Sequence, residues 1–214
     1  MNIQLLLDSA ILEEARQVAA WGWVRGATTN PTLLTHSELP PAQALKELGN
    51  LLPGHIFYQL TGTDLESMQK EAAIAANILG QQLVLKIPAS ALGMQAAARL
   101  SGEYPCAVTS IFTAAQALTA HAAGARYALY YHNRAKRLLE NGERLAAELV
   151  SVLEGSGTEV VAASLKSPAE LVEARRAGVC ILSAPFAVLA QLPVNEFSEQ
   201  ACQDFQARGS GLLT

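Results

Sequence analysis

A chain of 214 residues falls between one and two domains at the usual size of about 150 residues. Half of it is apolar and 16% is charged, which supplies a large core and excludes disordered, collagenous and coiled-coil classes. The 15 Lys+Arg against 19 Asp+Glu leave a net charge of −4 with no basic block to release counterions from a phosphate backbone, so nucleic acid is excluded as a partner.

Short runs rich in Val, Ile, Leu and Tyr alternate with amphipathic stretches from one end of the chain to the other. In chain order the pattern predicts strands at 3–8, 23–29, 55–61, 83–89, 105–112, 126–132, 158–165 and 179–184. The helices predicted to follow them are 11–20, 40–52, 64–79, 91–101, 113–123, 134–153, 168–177 and 185–191. Asp64 is an expected N-cap, and Pro41 and Pro168 stand at first-turn positions. Beyond the eighth unit, Phe197, Ala201 and Phe205 recur at four-residue spacing, which predicts an additional C-terminal helix over 195–207. The uncharged run from Tyr104 to Ala125 is long enough for a membrane span, but its Thr, Ser, Gln and His residues break it into a buried strand and a helix, so no membrane association is expected. The start of the chain has no basic stretch, and Asp8 interrupts its apolar run, which does not fit a secretory leader. Cys106, Cys180 and Cys202 are odd in number and far apart, so a disulfide framework is not expected and a cytoplasmic location is. Trp21 and Trp23 are expected to pack at the entry of the second strand.

A polar residue stands near the end of each predicted strand: Asp8, Asn30, Gln59, Lys86, Thr109, Tyr131, Ser164 and Ser183. Their intervals of 22, 29, 27, 23, 22, 33 and 19 residues each suit one strand and one crossover helix. Eight such units close into an α/β fold of the (βα)8 TIM barrel type, a single domain over 1–214. The alternative is an open doubly wound sheet, but LLLDSA stands where a glycine-rich phosphate loop would follow the first strand. In a barrel the strand ends converge on one mouth, so these polar residues form a ring although they are far apart in sequence.

Lys86, in LVLKIPAS, is flanked by apolar residues, whereas Lys46, Lys70, Lys136 and Lys166 lie in or beside predicted helices or loops. An amine inside a barrel loses hydration when charged, its pKa falls, and the free amine can attack a carbonyl. The competing reading pairs Lys86 structurally with Asp8 across the barrel. His36, His55 and His121 share no ligand spacing with one another or with the cysteines, so no metal is expected.

The segments LLLDSA, GATTNPTLL, FYQLTGTD, LVLKIPAS, AVTSIFTAAQA, AGARYALYYHNR and AASLKSP resemble, in this order, the transaldolase and fructose-6-phosphate aldolase family. The resemblance implies a class I aldolase without metal or other cofactor, acting on small-molecule sugar phosphates. It implies that Lys86 forms an imine while Asp8 and Asn30 bind hydroxyls of a dihydroxyacetone unit, supported by Thr28. Gln59, Thr109 and Tyr131 resemble the group that holds a catalytic water, and Arg134, Ser164 and Lys166 resemble a phosphate site. Transaldolases resemble one another in carrying Glu and Phe where this chain has Gln59 and Tyr131, so the pair is similar to the aldolase branch. The resemblance further implies a homo-oligomer, a pentamer or decamer. The chain departs from the family pattern at Tyr130 and His132 and in AKRLLENGERL after Arg134, which places the difference on the acceptor side. Strand alternation points His132 away from the direction of Tyr131, which favours a structural role for it. A barrel that binds sugar phosphates without turnover is the alternative of another class.

Overall fold

The computed structural model describes residues 3–210 and 212. Eight strands hydrogen-bond in sequence order into a closed parallel barrel: β1 Gln4–Asp8, β2 Val24–Thr28, β3 Ile56–Gln59, β4 Leu83–Pro88, β5 Cys106–Ile111, β6 Tyr127–Tyr131, β7 Glu159–Ala163 and β8 Ile181–Ala184. Closure comes from β1 and β8, paired from Gln4↔Ile181 to Leu7↔Ala184. The fold is therefore the barrel and not the open sheet.

Side chains alternate across each strand because the pleat has a period of two. Leu6, Phe57, Val84, Ala107, Tyr127, Leu129, Val161 and Ile181 fill the interior, while Leu7, Ile56, Leu85, Ile87, Val108 and Tyr130 pack outward against the helices. Continuing that alternation puts Asp8, Gln59, Lys86, Thr109 and Tyr131 on the inner side at the carboxyl ends of their strands.

The outer layer is built from α1 Leu12–Trp21, α2 Pro31–Leu34, α3 Pro41–Leu51, α4 Leu65–Leu79, α5 Ala91–Leu100, α6 Ala114–Ala122, α7 His132–Leu138, α8 Leu145–Val152, α9 Pro168–Arg176, α10 Phe186–Leu189 and α11 Glu196–Arg208. Asp64 caps α4 in a reciprocal box with Ser67, and Pro41 and Pro168 occupy the first turns of α3 and α9. The C-terminal helix expected over 195–207 is α11. Trp21 and Trp23 stack at 5.0 Å, and Trp21 also stacks on Phe186 at 5.3 Å.

Two predicted elements differ from those observed, and one observed turn has no predicted counterpart. The helix expected over 134–153 is two, α7 and α8, joined by Leu139 in an extended conformation and a single 3-10 turn over Gly142–Arg144. Gly142 packs against the backbone of α7, where a Cβ would come within 2.0 Å of the Ala135 carbonyl oxygen, so the turn closes this tightly only with glycine there. His132, expected at the end of a strand, is instead the first residue of α7. The single turn α2 falls in the stretch between the predicted strand 23–29 and helix 40–52; it forms because Asn30 caps it and Pro31 is preset for a first turn.

Among the described residues, no helix is long and apolar enough to cross a membrane. All three cysteines are unpaired, Cys106 and Cys180 buried and Cys202 exposed.

Candidate active site

A cavity of about 550 Å³ opens at the carboxyl ends of the strands, lined by Asp8, Asn30, Gln59, Lys86, Tyr131, Arg134, Ser164 and Lys166 among others. Eight of the ten residues singled out in the sequence thus face one space. Thr28 and Thr109 are fully buried behind it and reach it through other side chains.

Lys86 is 2% exposed and its Nζ donates to the Thr29 carbonyl at 2.7 Å. Burial pulls its ammonium below the usual lysine range, against the opposing influence of Tyr131 and Asp8, which favour the charged form. Among the described residues, no direct ion pair joins Lys86 to Asp8. The lysine is therefore tethered to a backbone carbonyl and not neutralised by a carboxylate, which weighs against the purely structural reading. The TTNP segment supplies that tether: the Thr29 hydroxyl donates to the Phe57 carbonyl at 2.9 Å, fixing the peptide whose oxygen receives Nζ. One residue on, Asn30 Oδ1 accepts the Leu33 amide at 2.9 Å. With the oxygen so used, the Asn30 amide nitrogen is left to donate into the cavity.

Asp8 lies at the end of a hydroxyl relay. Thr28 Oγ1 donates to Asp8 Oδ1 at 2.7 Å and lies 2.6 Å from Ser183 Oγ, so Ser183 is the donor in that second contact. Ser183 was visible in the sequence as a polar strand end but received no role there. Its burial beside Thr28 follows from the β1–β8 closure, which no local pattern encodes.

On the opposite wall, Thr109 Oγ1 and Ser110 Oγ donate to the Tyr131 hydroxyl at 3.1 and 3.3 Å. The Arg134 guanidinium lies over the Tyr131 ring, 4.4 Å from its centroid. Arg134 comes from the first turn of α7, whereas Ser164 and Lys166 follow β7. Their mutual placement is fixed by Glu170 of α9, only 8% exposed, whose two carboxylate oxygens accept the Asn133 side-chain amide at 2.8 Å and the Lys166 backbone N–H at 2.7 Å. Glu170 carried no recognisable motif in the sequence. A guanidinium, an ammonium and a hydroxyl at one end of the cavity are the donors a phosphate dianion requires.

Tyr130 and His132, two of the departures from the family pattern, do not line this cavity. Tyr130 points outward and is fully buried, and its hydroxyl lies 3.0 Å from His132 Nδ1. His132 Nε2 lies 3.2 Å from Glu173 Oε2, which also accepts Lys136 Nζ at 2.7 Å. Tyr130 and His132 thus tie α7 to α9 behind the Arg134 end of the cavity.

A second cavity of about 530 Å³ lies at the opposite end of the barrel, around Thr158, Glu159, Val179 and Cys180. It presents no cationic side chain. Among the described residues, no group of three or more His, Cys, Asp or Glu is placed to hold a metal ion.

Comparison with known proteins agrees with this geometry. The family described as Transaldolase/Fructose-6-phosphate aldolase matches residues 5–208. A protein of Kosmotoga olearia named a probable transaldolase is 34% identical over 206 residues, covering 95% of this chain and 94% of the relative. Proteins with the same name from a Hydrogenobaculum species and an Anaeromyxobacter species are 35% identical over 193 residues and 34% identical over 208 residues. The first pair shares 89% of this chain and 88% of the relative, and the second 96% of each. With a closed barrel, a buried strand-end lysine and a family match along nearly its whole length, the chain belongs to the transaldolase/fructose-6-phosphate aldolase family.

Proposed function

We propose that the protein is a class I aldolase that reversibly cleaves fructose 6-phosphate to dihydroxyacetone and glyceraldehyde 3-phosphate. The observation that carries this reading is Lys86, a buried amine with lowered pKa in a cavity that presents Arg134 and Lys166 at its other side. Its Nζ attacks the C2 carbonyl, water leaves, and the resulting iminium draws the electron pair of the C3–C4 bond as the C4 hydroxyl gives up its proton. Glyceraldehyde 3-phosphate departs, the enamine takes a proton at C3, and hydrolysis frees dihydroxyacetone and the lysine. Asp8 and Asn30 hold the hydroxyls of the three-carbon unit, and Thr28 supports Asp8 from behind. Gln59, Thr109 and Tyr131 serve the water and proton transfers, and Arg134, Ser164 and Lys166 take the phosphate. None of these steps calls for a metal, so a chelator is expected to leave turnover unchanged.

The choice of branch rests on Gln59 and on the Tyr131 hydroxyl with its two hydroxyl neighbours. A phenol can exchange a proton with water, so the enamine is resolved without a second sugar. The test is incubation with fructose 6-phosphate alone: glyceraldehyde 3-phosphate and dihydroxyacetone are expected as products. A requirement for erythrose 4-phosphate before any glyceraldehyde 3-phosphate forms would favour transfer of the dihydroxyacetone unit between sugar phosphates, the reading that the names of the relatives favour. Failure of borohydride to trap dihydroxyacetone on Lys86 would leave a sugar-phosphate-binding barrel without turnover.

The proposal extends to the setting and the assembly. Three unpaired cysteines fit a reducing cytoplasm. Phe197 and Phe205 of α11 are 76% and 75% exposed, and burial against a neighbouring copy in a ring-shaped pentamer or decamer would cover them. Sedimentation at micromolar concentration should give such an oligomer, and a clean monomer would contradict it.

A further inference from the structure

Tyr131 has two hydroxyl donors where a regular strand would bring one. Along β5, Val108 packs outward and Thr109 faces inward, so strict alternation would turn Ser110 outward and Ile111 inward. Ile111 nevertheless packs in the outer core with Val108. The chain achieves this by shifting its register against β6 between Val108 and Ile111 and by placing Ser110 at φ 63°, the left-handed region uncommon for residues other than glycine. Two consecutive hydroxyls consequently reach one oxygen, and Ser110 lines the cavity while Thr109 stays buried.

The ring itself has little freedom, with the Phe112 ring edge-on at 6.3 Å and Arg134 over one face. What remains to be fixed is the direction of the phenolic proton. A phenol oxygen that accepts from both Thr109 and Ser110 cannot turn its own hydrogen toward β5, so the O–H is aimed away from that strand into the cavity.

We propose that Ser110 is a positioning residue for the proton-transfer step, holding with Thr109 the Tyr131 hydroxyl as a donor directed at the enamine. This assignment rests on the Schiff-base reading. In the step concerned, the electron pair of the enamine C=C bond takes the proton of the phenol, directly or through one water. The iminium re-forms, and the phenolate recovers a proton from solvent.

Two measurements on the same preparations separate this role from a structural one. Borohydride trapping of dihydroxyacetone reads imine formation alone, whereas exchange of its carbon-bound hydrogens for deuterium in D2O, followed by NMR, reads proton transfer to and from the enamine. Ser110→Gly removes the hydroxyl and suits the left-handed backbone; Ser110→Ala removes the hydroxyl and strains it. Both variants should trap at the wild-type rate and exchange about fivefold more slowly, the rate ratio that one ordinary hydrogen bond commands. In a Tyr131→Phe background Ser110→Gly should cause no further loss, because its acceptor is gone.

Wild-type exchange in Ser110→Gly would overturn the assignment, as would a loss of the same size in the Tyr131→Phe background. Slow exchange in Ser110→Ala alone would also overturn it, since backbone strain would then be the cause. Absence of trapping in the wild type would overturn the Schiff-base reading and this assignment with it. Normal trapping with unchanged exchange in Ser110→Gly removes the assignment alone.

Discussion

The guanidinium of Arg134 lies over the ring of Tyr131, 4.4 Å from its centroid, so the cation proposed for the phosphate is in contact with the phenol proposed for proton transfer. The two sites are therefore adjacent parts of one surface. A guanidinium over an aromatic face is attracted by the ring without using its N–H donors, which stay available to an anion.

Arg134→Ala is expected to raise the KM for a phosphorylated acceptor aldehyde about tenfold or more, since a hydrogen bond to a charged group contributes roughly 1.5–3 kcal/mol. The KM for an unphosphorylated aldehyde should barely change. Steady-state kinetics with the two acceptors provide the comparison, and equal losses would exclude Arg134 as a phosphate ligand.

Lys86→Met should abolish turnover and borohydride labelling while leaving the barrel folded, because a thioether fills similar volume without an amine. Its stability should exceed that of the wild type at neutral pH. Burial lowers the folded-state pKa of Lys86 below its ordinary value of 10.5, so the unfolded chain binds more protons between the two values. Wild-type stability therefore contains a penalty that is complete below the folded pKa and fades as pH rises toward 10.5. Denaturant midpoints of the two proteins should converge over that range, and a constant difference would contradict the burial argument.

Tyr131→Phe should reduce cleavage of fructose 6-phosphate by about 10²-fold, the lower end for one general acid–base group. Imine formation should persist, since Lys86 and its tether to Thr29 remain. Loss of trapping together with turnover would show that the phenol supports the lysine and not the later proton transfer.

Glu170→Ala should lower thermal stability and raise the KM for a phosphorylated acceptor, because the Asn133 amide and the Lys166 N–H lose their common acceptor. A buried donor left without a partner costs about 1–3 kcal/mol. Glu170→Gln should restore most of both properties, since a rotated Asn133 amide can accept from the new amide while Lys166 keeps its oxygen. A defect in the glutamine variant as large as in alanine would mean that the negative charge, and not the geometry, matters.

The parts of this protein that depend on repetition were legible in the sequence. The strands show as short apolar runs at intervals of 19 to 33 residues, and a polar residue at each carboxyl end becomes a ring once the barrel closes, which is why Asp8, Gln59, Lys86 and Tyr131 could be placed together. The parts that depend on backbone geometry were not. Both serines fall inside predicted strands, and nothing in the residue type marked Ser110 as left-handed or Ser183 as a partner of Thr28. The acceptor for Lys86 is a carbonyl, which every residue has. The break between α7 and α8 turns on the close approach of Gly142 to Ala135, a tertiary contact invisible to helical periodicity. Tyr130 and His132 stood out as unusual and His132 was expected to turn away from Tyr131, but its place at the start of α7 and its partner Glu173 required knowing that β6 ends at Tyr131.

Joining β1 to β8 makes the order of synthesis matter. The leucine-rich first strand is made early, yet its partner across the seam is the last strand of the barrel to emerge, so one edge of Leu5, Leu6 and Leu7 stays unpaired during most of translation. A chain shortened before Ile181 would be a curved sheet with two open edges and not a smaller barrel, and such edges template aggregation. The stack of Trp21 on Phe186 spans the same interval of sequence, so it too waits for the last strand before it can form.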